Sequence, residues 1–177
     1  FKKIFNLYMR FPSFHNYKYK VNFIKPDSNK SIDIFLRTST NFVRNSVAIH
    51  RIELVKHLNN ILKKNRLTGE INGKRLSKSK FENKMRETKI MPSPFGWGEI
   101  GVRDYEAFIN GSLLLKPNMD HMLTWPNIFI KNKTYIPFEW DYSDLESNIL
   151  KYLKNDQERI DIAREGQKNY FESINNK

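Results

Sequence analysis

Lys89–Leu115 reads KIMPSPFGWGEIGVRDYEAFINGSLLL, and its punctuation decides the fold. Lys89–Met91 is a brief apolar run that stops at Pro92, as a buried strand does. Pro92-Ser-Pro-Phe-Gly-Trp-Gly is dense in turn residues. Across Gly101–Asn110, Val102, Tyr105 and Ile109 recur at helical spacing on one apolar face, and Gly111 stands where a helix C-terminus favours glycine. Ser112–Leu115 is then a second apolar strand. Strand, turn, helix and strand in that order predict one unit of a parallel sheet.

The same alternation extends in both directions. Ser31–Leu36 (SIDIFL) is apolar and β-branched after the turn Pro26-Asp-Ser-Asn, so it reads as the first strand. A loop, Arg37–Asn45, leads into a helix over Val47–Asn65, where Ile49, Ile52, Leu54, Val55, Leu58, Ile61 and Leu62 form the apolar positions and Gly69 lies beyond the end. Leu67–Lys74 reads as a loop with at most a short strand. Ser77–Arg86 is helical, capped by Ser77 or Ser79. Thr134–Pro137 reads as another strand, and Asp144–Leu153 and Asp156–Phe171 as helices that each open on an acidic residue, as the helix dipole favours.

The expected architecture is therefore a doubly wound α/β domain with a Rossmann-like parallel sheet over 31–177. Residues 1–30 read as a linker or the remnant of a preceding domain, because Phe1–Ser31 mixes aromatic and basic residues without a period. At 177 residues the chain suits one core.

Composition narrows the chemistry. No apolar run approaches the roughly 20 residues that span a bilayer, and Phe1–Arg10 is too short and basic for a signal-peptide core. A cytoplasmic setting is expected, the sequons at Asn110 and Asn132 notwithstanding. Cysteine is absent, which removes disulfides and thiolate metal sites. The net charge of +12 favours an anionic partner. Nucleic acid, an anionic membrane surface in peripheral association, and a phosphorylated small molecule all fit it, and so does coding bias toward Lys, Asn and Ile. There is no Walker A loop, no His-Glu-x-x-His, no Gly-x-Ser-x-Gly and no EF-hand loop. No Asp-x-Asp triplet occurs, which disfavours transferases that hold a diphosphate through a divalent ion.

In open parallel sheets ligands bind beyond the carboxyl ends of the strands, and a glycine turn entering a helix offers backbone N–H groups to phosphate. Phe95–Arg103 fits that description. Gly96, Gly98 and Gly101 allow close backbone approach, and Arg103 adds a charge-assisted donor. These glycines also suit a purely structural turn. Glu99, Arg103 and Glu106 are spaced four and three apart and so fall on one helical face. That face reads either as a solvated salt-bridge ladder or, with Glu106 accepting from the two hydroxyls of a ribose, as part of a nucleotide site.

Ser93-Pro-Phe-Gly-Trp-Gly-Glu, Arg103-Asp-Tyr-Glu-Ala-Phe-Ile-Asn-Gly and Leu113-Leu-Leu-Lys-Pro together resemble the C-terminal, donor-binding half of GT-B glycosyltransferases of the group 1 type. The resemblance runs over Ser77–Pro117, more loosely over Ser31–Leu62, and fades in Phe1–Lys30. It implies a hexosyltransferase-type enzyme of glycan biosynthesis whose donor is a nucleoside-diphosphate sugar, with no further cofactor and no required metal. It implies that Glu106 binds the ribose, that backbone around Gly98–Arg103 holds the diphosphate, and that Glu99 lies near the sugar. Ser93, Gly96, Trp97 and Gly101 belong to the same binding segment. Arg37 and Arg44, flanking the loop after the first strand, occupy places where the family sets basic residues against phosphates, though surface charge explains them equally. His121 falls at the same sheet edge, and Trp97 and Trp125 are candidates for stacking on a base or sugar. Many members separate their two glutamates by seven residues with the glycines between. Here six residues intervene and the glycines come earlier.

The resemblance also implies that an acceptor-binding N-terminal domain, together with any general base, lies outside this sequence. The last helix would pack toward that domain, and the fragment alone would bind donor but turn over poorly. The competing expectations are a basic α/β nucleic-acid-binding module without enzymatic activity, and a truncated copy that folds but binds nothing. Sequence leaves the base, sugar, acceptor, stereochemistry and oligomeric state open.

Overall fold

The computed structural model describes residues 21–175. Five strands form one all-parallel sheet in the order β2-β1-β3-β4-β5. They are β1 (Ile32–Leu36), β2 (Gly69–Ile71), β3 (Thr88–Pro92), β4 (Leu113–Pro117) and β5 (Ile136–Phe138), joined or followed by α1 (Asn45–Asn65), α2 (Lys78–Arg86), α3 (Val102–Ile109), α4 (Leu145–Lys154) and α5 (Asp156–Asn175). The expected doubly wound, Rossmann-like α/β class is the one observed. The short strand in the 67–74 loop is real.

Successive strand side chains point to opposite faces, so each central strand supplies two cores. Ile34, Leu36, Ile90, Leu113 and Leu115 pack with Leu54, Leu58 and Ile61 of α1 and Leu145 and Ile149 of α4. Phe35, Met91 and Leu114 pack on the other face with Met85 of α2 and Ala107 and Phe108 of α3. Continuous apolar runs such as LLL in β4 are what a strand covered on both sides requires.

Two apolar faces differ from the sequence reading. In α1 the buried positions are His50, Leu54, Leu58 and Ile61, whereas Ile49 and Ile52 stand 61% and 48% exposed. Leu54 and Leu58 follow His50 at intervals of four, so the imidazole extends the stripe by one turn. In α3 the buried set is Asp104, Ala107 and Phe108, and Val102 is exposed. The rotation follows from burial of Asp104 beside a strand lysine, described below.

Residues 24–30 pack onto the domain. Ile24 N donates to Ile109 O, and Lys30 Nζ donates to the carbonyls of Arg86 and Asn110. Gln167 on α5 donates to Ile24 O and Phe108 O, while Arg159, Ile162, Ala163 and Gly166 form that helix's buried face. The expectations that fall on residues 1–20 lie outside the described residues.

Gly111 closes α3 with φ of +60°, and a Cβ there would sit 2.4 Å from Ile24 O. Left-handed backbone in a non-glycine residue costs about 1–3 kcal/mol before any clash. Gly111→Ala is therefore expected to lower the urea midpoint by at least that equivalent, and an unchanged midpoint would contradict this account of the corner.

Candidate functional site

The chain runs from β1 through α1 to β2 on one side, then crosses to β3 on the other side of β1. The reversal places a crevice beyond the carboxyl ends of β1 and β3, between the start of α1 and the start of α3. An open cleft of about 790 Å³ lies there, lined by Arg37, Thr38, Ser39, Thr40, Asn41, Arg51, Asn72, Gly73, Arg75 and Arg103. Its size suits a small ligand. Its lining holds four arginines and no carboxylate.

Arg51, in the second turn of α1, ties the two loops together. Its Nε donates to Phe95 O at 2.7 Å, Nη1 donates to Ser39 O at 3.0 Å, and the guanidinium lies 4.3 Å from the Phe42 ring centre. Burial and the neighbouring Arg103 charge lower its pKa to about 10. Arg103, in the first turn of α3, is itself pushed down by burial, against the opposing pull of Glu106 and Asp104, and donates to Arg37 O. Two guanidinium groups close enough to repel thus share a cleft whose lining holds no acid.

Arg37 is held differently from the expectation. Its terminal nitrogens bond Gly73 O and Glu70, and Glu70 also takes Lys84 at 2.5 Å. Its Nε is buried without a protein partner among the described residues, as is Thr38 Oγ1. Asn72 clamps Thr38 through reciprocal side-chain to backbone bonds of 2.7 and 2.8 Å. The two unpartnered atoms, Arg37 Nε and Thr38 Oγ1, belong to residues that line the cleft.

The glycine turn lies where the sequence puts it. Ser93 is buried and its N–H pairs with Leu115 O. Gly96 N–H donates to Gly98 O, and a Cβ on Gly96 would come within 2.9 Å of Arg51 Nη2. A side chain here would displace the Arg51 guanidinium from the backbone it approaches. Gly101 has open space where a Cβ would go. Arg44 is exposed, outside the cleft lining, and lies over exposed Trp97 at 5.9 Å. Trp97 also packs against Phe42. Trp125 is exposed on the 118–130 loop.

Glu99 does not share a helical face with Arg103 and Glu106. Gly101 is the extended N-cap of α3, with φ of −124°, and its N–H is received by Asp104 Oδ2 at 3.0 Å, so the helix starts at Val102, three residues after Glu99. What Glu99 contributes is its carbonyl, which accepts from Lys116 Nζ at 2.5 Å. Arg103 and Glu106 do lie one turn apart. Burial raises the pKa of Glu106 against the lowering effect of Arg103, and Glu106 is not part of the cleft lining.

Beneath the turn, Lys116 of β4 and Asp104 form an ion pair at 3.2 Å with both side chains 0% exposed. The ammonium also lies 4.8 Å from the centre of the Phe95 ring. This pair fixes the start of α3 to the sheet. His121 is exposed and sits 6.2 Å from Phe95, ring centre to ring centre, at the sheet edge expected of it.

His50, absent from the sequence expectations, stands in an aromatic box made by Phe95, Phe138, Trp140 and Tyr142. Burial, then the charges of Arg51 and Lys116, lower its pKa to about 4. Unfolded histidine titrates near 6.5, so between about pH 6.5 and 4 the unfolded chain binds a proton the folded one lacks. Stability from this group is complete above that window and is lost as pH falls through it, with a slope approaching ~1.4 kcal/mol per pH unit. Glu106 contributes the opposite slope equally to wild type and variant. Urea midpoints from pH 7 to 4.5 should therefore fall less steeply for His50→Asn than for wild type, and parallel curves would contradict the assignment.

The fold and the crevice define the class as a doubly wound α/β domain with an arginine-lined switch point. No family model matches the chain, and no curated protein does. Among solved structures, the C-terminal domain of a glycosyl transferase group 1 family protein, LpcC from Francisella tularensis, matches with a TM-score of 0.57 at 10% identity, over 88% of this chain and 98% of that one. The chain thus has the fold of a GT-B C-terminal domain. No helix among the described residues is long and apolar enough to cross a membrane.

Proposed function

We propose that this chain is the donor-binding part of a glycosyltransferase, taking a nucleoside-diphosphate sugar in the arginine cleft and acting with an acceptor-binding domain outside this sequence. One observation carries the reading. Arg51 and Arg103 are juxtaposed at the topological switch point with no carboxylate in the cleft wall, in a fold shared with a glycosyl transferase domain. A diphosphate relieves the repulsion between the two guanidiniums and receives their remaining donors in charge-assisted bonds. The arginines then neutralise the leaving diphosphate, a task that a divalent ion performs elsewhere.

Glu106, buried next to Arg103, is assigned the ribose hydroxyls. Each hydrogen bond to a charged group contributes about 1.5–3 kcal/mol. Glu106→Ala is therefore expected to weaken UDP or GDP, whichever binds, by about tenfold or more, and to leave the 2′,3′-dideoxy analogue unchanged. Equal losses for both nucleotides would remove Glu106 from the site. If all polyanions bound alike with a steep salt dependence, the nucleic-acid reading would take its place.

A further inference from the structure

Four arginines line the cleft, and three of them have a counterpart. Arg37 is neutralised by Glu70. Arg51 and Arg103 match the two negative charges that the diphosphate of a sugar nucleotide carries. Arg75, which follows β2, is the fourth. It is exposed, and none of its donors has a hydrogen-bond or ion-pair partner among the described residues. Glu70, the carboxylate of β2 itself, is already shared between Arg37 and Lys84. Between Glu70 and Glu82 the chain carries Lys74, Arg75, Lys78 and Lys80 and no acid. The β2 side of the cleft therefore keeps a positive charge that neither the protein nor a bound diphosphate balances.

Position in the sheet says what that charge meets. Arg103 follows β3 and Arg75 follows β2, with β1 between them. Neighbouring strands lie about 4.8 Å apart, so these two segments leave the sheet about 10 Å from one another. A hexose ring and its substituents bridge that separation. Glu106, on α3, draws the ribose to the β3 side, which leaves the β2 side to the other end of the diphosphate, where the sugar is. An anionic group at Arg75 therefore belongs to the sugar. The planar guanidinium pairs bidentately with a carboxylate, and in a hexuronic acid that group projects from the same ring as the anomeric phosphate.

We infer that Arg75 is a specificity-determining residue for an acidic sugar, so that the donor is a nucleoside-diphosphate uronic acid. This rests on the donor-binding reading and narrows its substrate class. Arg75 receives the carboxylate and takes no part in bond making, whereas a neutral hexose leaves the guanidinium to water. The preference is electrostatic at an exposed residue, so it weakens as salt is raised.

Calorimetry on the full chain compares UDP-glucose with UDP-glucuronic acid and GDP-mannose with GDP-mannuronic acid, with UDP and GDP as references. In wild type the uronic acid should bind about tenfold more tightly than its neutral partner, as one charge-assisted bond provides. Arg75→Ala should bring that ratio close to one. Lys74→Ala removes the same charge from an exposed neighbour outside the cleft lining, and it should keep most of the ratio. A ratio near one in wild type, or one that Arg75→Ala leaves unchanged, overturns the inference while binding of UDP or GDP keeps the donor-binding reading intact. A ratio lost equally in Lys74→Ala overturns it too, because bulk charge would then be the cause. Failure of wild type to bind any of the six ligands overturns both readings.

Discussion

Asp104→Ala is expected to cost about 3–5 kcal/mol of folding stability, among the largest effects of any single substitution in this domain. Lys116 is fully buried 3.2 Å from Asp104, and removing one member of a buried pair strands the other charge. Burial already pulls the Lys116 pKa down, and Asp104 is the largest influence opposing that fall. The aspartate also caps Gly101, so the start of α3 frays with it. Asp104→Ala combined with Lys116→Met should recover more than half of the loss, because the stranded ammonium is gone and the methionine still packs against Phe95 and Phe129. Urea denaturation of the four proteins in a double-mutant cycle measures this. Additive losses would show that the pair does not act as a unit.

The second large effect is on binding. Arg103→Ala and Arg51→Ala should each weaken nucleoside diphosphate by about 10–100-fold, the equivalent of one or two charge-assisted bonds. Arg51→Lys should fare little better. An ammonium cannot bridge Phe95 O and Ser39 O while keeping a planar donor face toward a phosphate. Pyrophosphate alone supplies a simple readout, since a ligand specific for the folded state raises its stability by about 2.7 kcal/mol at a hundredfold excess over Kd. Wild type should show that rise and Arg51→Ala/Arg103→Ala should not. A rise of equal size in the double variant would place the anion elsewhere.

Much of the fold was readable in sequence because its punctuation is local. Pro92 to Gly98 between two apolar strands announces a turn, and Gly111 announces the end of α3. The α3 bounds agree with the reading of Gly101–Asn110, but spacing alone sets Glu99 on its face, whereas Asp104 folds back to cap Gly101 and so keeps Glu99 off the helix. Arg37 and Arg103 both line the crevice, as their positions after β1 and β3 require, whereas the glycine turn touches it only through Arg51, which holds Phe95 O. Arg51 and Arg75 were missed because one sits among helix residues that look solvent-facing and the other follows a three-residue strand. Lys116 carried a signal that could have been used, a lysine inside the run Leu113–Pro117 in a strand buried on both faces. His50 carried one too, standing one turn before Leu54 and two before Leu58 on the buried face. A polar residue on an apolar stripe shows its partner only when Tyr142, ninety-two residues later, folds onto it.

The central claim is that the arginine cleft takes a nucleoside diphosphate. Calorimetric titration of this chain with UDP and GDP tests it most directly. Saturable one-to-one binding of one of them, tighter than its monophosphate and lost in the Arg51→Ala/Arg103→Ala variant, is the predicted result. A well-folded chain that binds neither diphosphate would contradict the claim.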